Sequence, residues 1–188
     1  MYQWPSASGC SRPCDSGEHD SGRETRTLHS GIQAQVIELA GKLEKRGLLC
    51  ATAESCTGGW IAQTLTSVAG SSNWFDCGFV TYSNESKTRL LGVGRELLEK
   101  RGAVSAHVAG AMAAGAVANS NAKAAVAVTG IAGPDGGTAE KPVGTVVFGW
   151  VVPGAAEPEV ETRLFTGDRT DIRRAAVAHA ITGLASRL

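Results

Sequence analysis

The sequence predicts an α/β fold of three layers, with helices on both faces of a mixed, mainly parallel sheet. Three observations carry this expectation. Segments with helical spacing of apolar residues alternate with short apolar runs, the pattern of parallel strands joined by helical crossovers. Ala124–Thr129 is a continuous run of small and apolar residues, as in a strand covered on both faces. Late in the chain, two strand-like runs flank Pro153-Gly154 and read as an antiparallel hairpin, which makes the sheet mixed.

Taken in order, residues 1–27 are dense in Ser, Gly, Pro, Asp, Glu and Arg and almost free of aliphatic side chains. Such a stretch cannot bury enough apolar surface to offset its ordering entropy, so it is expected to be a disordered extension. The domain is expected to run from 28 to 188. Ile32, Val36, Leu39, Ala40 and Leu43 form one helical stripe over about 30–46, closed by Gly47. Leu48–Ala53 reads as a buried strand. Helical spacing resumes from Glu54-Ser55 through Trp60, Ile61, Leu65 and Val68. Phe79-Val80-Thr81 suggests a strand, and Asn84–Leu91 a helix with a Ser/Asn cap and a terminal Gly92. A helix over 105–118 starts at Ser105, and the strand Ala124–Thr129 follows it. A long loop then runs from Gly130 to Pro142. Val143–Val152 and Glu159–Phe165 make the hairpin strands, and Asp168 caps a last helix carrying Ile172, Val177, Ile181 and Leu184.

Composition narrows the function classes. In 188 residues, 18 basic side chains balance 18 acidic ones, and 43% of residues are hydrophobic. The chain therefore lacks the basic field that nucleic-acid binding needs. No apolar run approaches a membrane span, and residues 1–12 do not read as a signal peptide, so a cytoplasmic location is expected. Five scattered cysteines do not make a disulfide framework. Cys10, Cys14 and His19 sketch part of a metal site but lack a fourth ligand, and His107 and His179 have no metal-ligand partners, so no metal is expected.

Three segments can carry chemistry. Ser55 follows a buried strand closely, where the N–H groups of Cys56, Thr57 or Gly58 can face an oxyanion at a helix start. On spacing alone, a helix cap is the commoner role for Ser55 or Thr57. Cys56 is a rival nucleophile, because a helix start lowers a thiol pKa, although a small buried cysteine is the plainer reading. The second group is Tyr82, Ser83, Asn84 and Lys87. No histidine sits where it would serve a nucleophilic serine, whereas Lys87 can do so if desolvation keeps it neutral. The bland reading of Lys87 is an exposed helix lysine, and that of Tyr82 a half-buried aromatic. The third segment is the glycine-rich loop from Thr129, with Gly130, Gly133, Gly136 and Gly137. Its backbone N–H groups can meet a phosphate or carboxylate, or the segment is simply a long turn. Arg169, at the start of the last helix, is a weaker candidate for an anion contact, while Asp168 with Asp171 reads as a cap.

Several words in this order resemble the CinA C-terminal domain family. They are Ala53-Glu54-Ser55-Cys56-Thr57-Gly58-Gly59, Gly78–Asn84 with Lys87 after it, Gly102-Ala103-Val104-Ser105, Thr129–Gly137, and Lys141–Val146. The likeness covers about residue 30 to the end. It implies the three-layer α/β/α fold and the hydrolysis of nicotinamide mononucleotide to nicotinate mononucleotide and ammonia. The family implies a small-molecule nucleotide as substrate and no cofactor. Carried over by position, Ser55 would be the nucleophile and Lys87 its base, with Tyr82 assisting. A non-catalytic nucleotide-binding or interaction module is the alternative reading. A homo-oligomer is compatible with a domain of this kind.

Overall fold

Cys50–Glu54 (β1) is buried at every position, and the other elements are arranged about it. The computed structural model describes residues 21–188, with side chains described from residue 31 onward. Before β1 lies Ser21–Arg46 (α1). After it come Trp60–Thr66 (α2), a single 3₁₀ turn at Ser71–Asn73, Phe75–Val80 (β2), Asn84–Leu91 (α3), Arg95–Arg101 (α4) and Ala106–Ala118 (α5). Ala124–Gly130 (β3), Thr145–Val151 (β4), Glu159–Leu164 (β5) and Arg169–Arg187 (α6) complete the chain.

The five strands form one sheet in the order β2-β1-β3-β4-β5. β1 pairs in parallel with β2 and β3, whereas β3–β4 and β4–β5 are antiparallel. The sheet is mixed as expected, with β4 alone reversed. β2 and β3 flank β1 on opposite sides, so the chain changes direction across β1. Crevices at the carboxyl ends of strands open at such switch points.

Alternation along the strands builds two cores. Cys50, Val126, Val128, Phe148 and Trp150 face α1, α2 and α6. Ala51, Ala53, Ala125 and Ala127 face the opposite way, toward α3, α4 and α5, where Val108, Met112, Ala113 and Ala116 pack. This second face is small on both sides, so the backbones approach closely. A Cβ on Gly149 of β4 would strike the carbonyl of Ala109 in α5. Helices cover both faces, which is the three-layer arrangement that the sequence predicts.

The structure differs from the sequence expectations at several boundaries. α1 starts at Ser21, well before the apolar stripe begins, because a helix whose first turns are polar gives periodicity nothing to register. Residues 1–20, with Cys10, Cys14 and His19, lie outside the described residues. α2 starts at Trp60 rather than at Ser55, because five residues of turn intervene. α4 was not expected from the sequence: Leu98 is its one buried residue, which is too little for a stripe. The hairpin strand β4 begins at Thr145, since Val143-Gly144 closes the preceding loop. Among the described residues, no helix is long and apolar enough to cross a membrane.

Gly115 of α5 gives a test of the close packing. An added methyl there would run into the carbonyl of Leu91 at the end of α3. Alanine improves helix propensity by about 1 kcal/mol, but overpacking costs ~1–3 kcal/mol or more. Gly115→Ala is expected to lower stability by about 2 kcal/mol, read as a lower urea midpoint.

Candidate functional site

β1 does not end cleanly at Glu54. The Ser55 N–H still donates to Val128 of β3 (3.0 Å), and the Thr81 N–H donates back to Glu54 (2.7 Å). Three strand ends are thereby tied together where Ser55 emerges. The chain then turns, with the Gly58 N–H closing on the Ser55 carbonyl (3.1 Å). Gly58 and Gly59 take φ of 64° and 94°, a left-handed backbone that glycine adopts without strain.

Neither Ser55 nor Thr57 caps α2. The carboxylate of Glu54, wholly buried, accepts from the N–H groups of Gly59 (3.0 Å), Ile61 (3.0 Å) and Ala62 (2.8 Å). A carboxylate at a helix N-terminus satisfies unpaired donors and the positive end of the dipole together. Two corrections follow. The cap reading of Ser55 falls away, and the start of α2 is already filled, so it has no N–H groups to offer a ligand. The Gly58 N–H is spent in the turn. The N–H groups of Cys56 and Thr57 are outside the turn's backbone hydrogen bonds among the described residues.

Lys87 reaches the same place from α3. Ser83 caps this helix by accepting from the Ser86 N–H (3.1 Å). The helical repeat then puts Lys87 and Leu91, four residues apart, on the buried face. Lys87 is only 1% exposed. Its Nζ lies 2.9 Å from Ser55 Oγ, 2.7 Å from the Thr81 carbonyl and 3.4 Å from the Tyr82 carbonyl. Carbonyls only accept, so each takes an N–H from the amine. A neutral amine has two such N–H groups and one lone pair, and the lone pair is left for the Ser55 O–H. Burial lowers the Lys87 pKa from the ordinary lysine value, in the direction this arrangement requires. Ser55 itself is 9% exposed and thus open at one side.

The Cys56 thiol is held in the opposite sense. Burial pushes its pKa up to about 11, against smaller lowering contributions from a backbone hydrogen bond and from Arg173. It is protonated at neutral pH and is no rival to Ser55.

A cavity of about 230 Å³ opens over Ser55 and Lys87. Cys56, Tyr82, Thr129, Gly130 and Arg169 line it, together with Asn84, Ala103, Val104 and Ala132. Tyr82, 64% exposed, sits at the rim, where its hydroxyl accepts from Arg169 (3.3 Å). Arg169 also donates to the Gly133 carbonyl (2.6 Å), joining α6 to the glycine-rich loop. The Thr129 hydroxyl donates to the Ala103 carbonyl (2.9 Å). Thr57, Gly58, Gly136 and Gly137 are not among the cavity-lining residues. Gly133 and Gly137 instead pack against Val143 across the loop, where a Cβ on either would come within 3 Å of it.

Five residues at the site have roles that the sequence does not display. Glu54, Lys141 and Arg173 act by hydrogen bonding to backbone, and Ala103-Val104 by shape. Lys141 donates to the Val104 carbonyl (2.7 Å), and Arg173 to the carbonyls of Cys56 and Thr57. None of these roles leaves a spacing pattern. A glutamate directly before a strand-to-helix turn is the one signal of this kind that the sequence carries.

Comparison with known proteins points to one family. The model of the CinA C-terminal domain matches residues 32–188. The nicotinamide-nucleotide amidohydrolase PncC of Escherichia coli (strain K12) is 51% identical over 153 residues, which cover 80% of this chain and 91% of the relative. The protein of that name from Pseudomonas putida is 54% identical, over 81% of this chain and 94% of the relative. Among solved structures, the competence/damage inducible protein CihA of Agrobacterium tumefaciens superposes with a TM-score of 0.79. It is 46% identical, over 83% of this chain and 94% of that one.

Lys87 carries a stability cost with a definite pH dependence. Its folded pKa is lowered, so between that value and the ordinary 10.5 the unfolded chain binds the additional proton. Stability contributed by this residue therefore rises with pH across that window. Lys87→Met is expected to be more stable than the native chain at pH 7. Its advantage should shrink toward pH 10 by up to about 1.4 kcal/mol per pH unit, followed by urea unfolding at several pH values.

Proposed function

This chain belongs to the CinA C-terminal domain family, and we propose that it is a nicotinamide-nucleotide amidohydrolase that uses Ser55 as nucleophile and Lys87 as base. The reaction is hydrolysis of the carboxamide of nicotinamide mononucleotide, giving nicotinate mononucleotide and ammonia. The observation that carries this reading is the 2.9 Å contact between Lys87 Nζ and Ser55 Oγ, at a lysine buried to 1% exposure. An ordinary lysine is protonated at neutral pH and cannot accept a proton. Desolvation removes that obstacle.

Ser55 Oγ attacks the carboxamide carbon as its proton passes to Lys87 Nζ. The carbonyl oxygen, now negative, is met by the N–H group of Cys56, which lines the cavity. The ammonium of Lys87 then returns its proton to the amide nitrogen, the C–N bond breaks and ammonia leaves. Water enters, gives a proton to Lys87 and attacks the acyl ester, and Ser55 recovers its proton as the carboxylate product departs. The carbonyls of Thr81 and Tyr82 hold Nζ in place through both halves. At the rim, Arg169 with the Tyr82 hydroxyl is suited to the phosphate of the nucleotide, and Thr129 and Gly130 line the approach. The relatives' name supports this substrate.

Ammonia release from the mononucleotide is the direct test. Ser55→Ala and Lys87→Arg are each expected to lower kcat at least ~10³-fold, since arginine keeps the charge but does not deprotonate. Arg169→Ala is expected to raise KM about tenfold while changing kcat less. Tight nucleotide binding without turnover by the native chain would instead identify a binding module.

A further inference from the structure

We propose that the open edge of β5 pairs antiparallel with β5 of a second copy of this chain, about a two-fold axis at Thr162, so that two sheets become one. β5 ends the sheet, and among the described residues only β4 pairs with it. The Phe165 N–H donates to the Gly144 carbonyl on the β4 side (2.9 Å). Backbone groups along an antiparallel pair alternate in direction, so Arg163, Glu161 and Glu159 also bond to β4. Val160, Thr162 and Leu164 therefore turn their N–H and C=O groups to the open edge. Their side chains share the α5 face, where a Cβ on Gly110 would lie 3.4 Å from Val160. Val160 and Leu164 are both large, apolar and exposed, at 45% and 61%. Glu159 and Glu161 face the other way, toward Arg187 and His179 of α6.

Charged side chains on an open edge normally guard it against self-pairing. The charges of β5 instead complement themselves. Two copies of one edge related by a two-fold axis pair antiparallel, and residues set opposite each other face the same side of the sheet. With the axis at Thr162, Val160 lies opposite Leu164 of the second copy and Glu161 opposite its Arg163. Apolar meets apolar on the α5 face, and opposite charges meet on the α6 face, each twice by symmetry. Val160, Thr162 and Leu164 fall in the hydrogen-bonded pairs, as their outward backbone groups require. The neighbouring registers fail on charge. An axis at Glu161 sets two glutamates face to face, one at Arg163 sets two arginines, and one at Val160 brings Glu159 against Glu161. Beside Val160 the α5 face also carries a groove of about 580 Å³, lined by Leu97, Gly110, Ala111, Ala114 and Pro158. The same axis brings the two grooves edge to edge across the Val160–Leu164 pairs. β3 and β4 separate β5 from β1, so the crevice at Ser55 stays open and this pairing is independent of the catalytic reading.

Sedimentation equilibrium of the full chain at micromolar concentration tests this, with circular dichroism to verify the fold of each variant. The native chain is expected to be a dimer. Thr162→Pro removes an outward N–H that β4 does not use, and is expected to be a folded monomer. Glu161→Arg and Arg163→Glu each set like charges opposite one another at both symmetric places. Each is expected to raise the dimer dissociation constant at least about tenfold. Mixed in equal amounts, these two chains are expected to form a mixed dimer within about threefold of native affinity, because the glutamates of one then face the arginines of the other. A monomeric native chain overturns the proposal. So does a folded Thr162→Pro that dimerises as the native chain does, or a pair of folded charge variants that associate no better together than apart.

Discussion

A lysine amine removed from water has to be satisfied by protein oxygens, and much of this site follows from that requirement at Lys87. An uncompensated buried ammonium would cost several kcal/mol, on the order of what holds a whole domain folded. Thr81 and Tyr82 supply carbonyls, and Ser55 supplies a hydroxyl. To bring them to one point, the ends of β1 and β2 must lie side by side, and the 2.7 Å bond from Thr81 to Glu54 keeps them so. Leu91, one turn below Lys87 on α3, roots the lysine stem in the core between α3 and α5. The catalytic proposal and the packing of this end of the sheet thus depend on the same few contacts.

The start of α2 shows how charge is divided around the site. A helix N-terminus next to a nucleophile is a natural place for an anion. Here the Glu54 carboxylate occupies it from within the protein. The turn between β1 and α2 is held from its other side by Arg173, which donates to the carbonyls of Cys56 and Thr57. α6 accordingly presents two arginines one turn apart with different work: Arg169 at the cavity rim and Arg173 against the turn. The high thiol pKa of Cys56 belongs to the same buried setting, which disfavours a thiolate as it disfavours an ammonium.

The fold was largely legible in the sequence because apolar spacing is a one-dimensional record of which faces are buried. Ala124–Gly130 and Asn84–Leu91 emerged with nearly their observed limits. Where burial leaves no periodic trace, the reading failed. Arg95–Arg101 buries a single leucine, and the first turns of α1 are polar. The helix placed from Ser55 proved to be a turn followed by a seven-residue helix, because two glycines with positive φ break the period.

For the site, the sequence by itself determined which residue types were on hand: a serine after a buried strand, a lysine on a short capped helix, and a glycine-rich loop after the next strand. It also carried, through several separate words, the resemblance to one family. It did not determine that these residues meet. Lys87 and Ser55 are 32 positions apart, and their contact exists because β2 pairs beside β1 and α3 folds back over the strand ends. Glu54 as the cap and Arg173 as the clamp were likewise decided in three dimensions. Each acts through hydrogen bonds to backbone groups, and every residue has a backbone, so nothing in the identity of the partner records the bond.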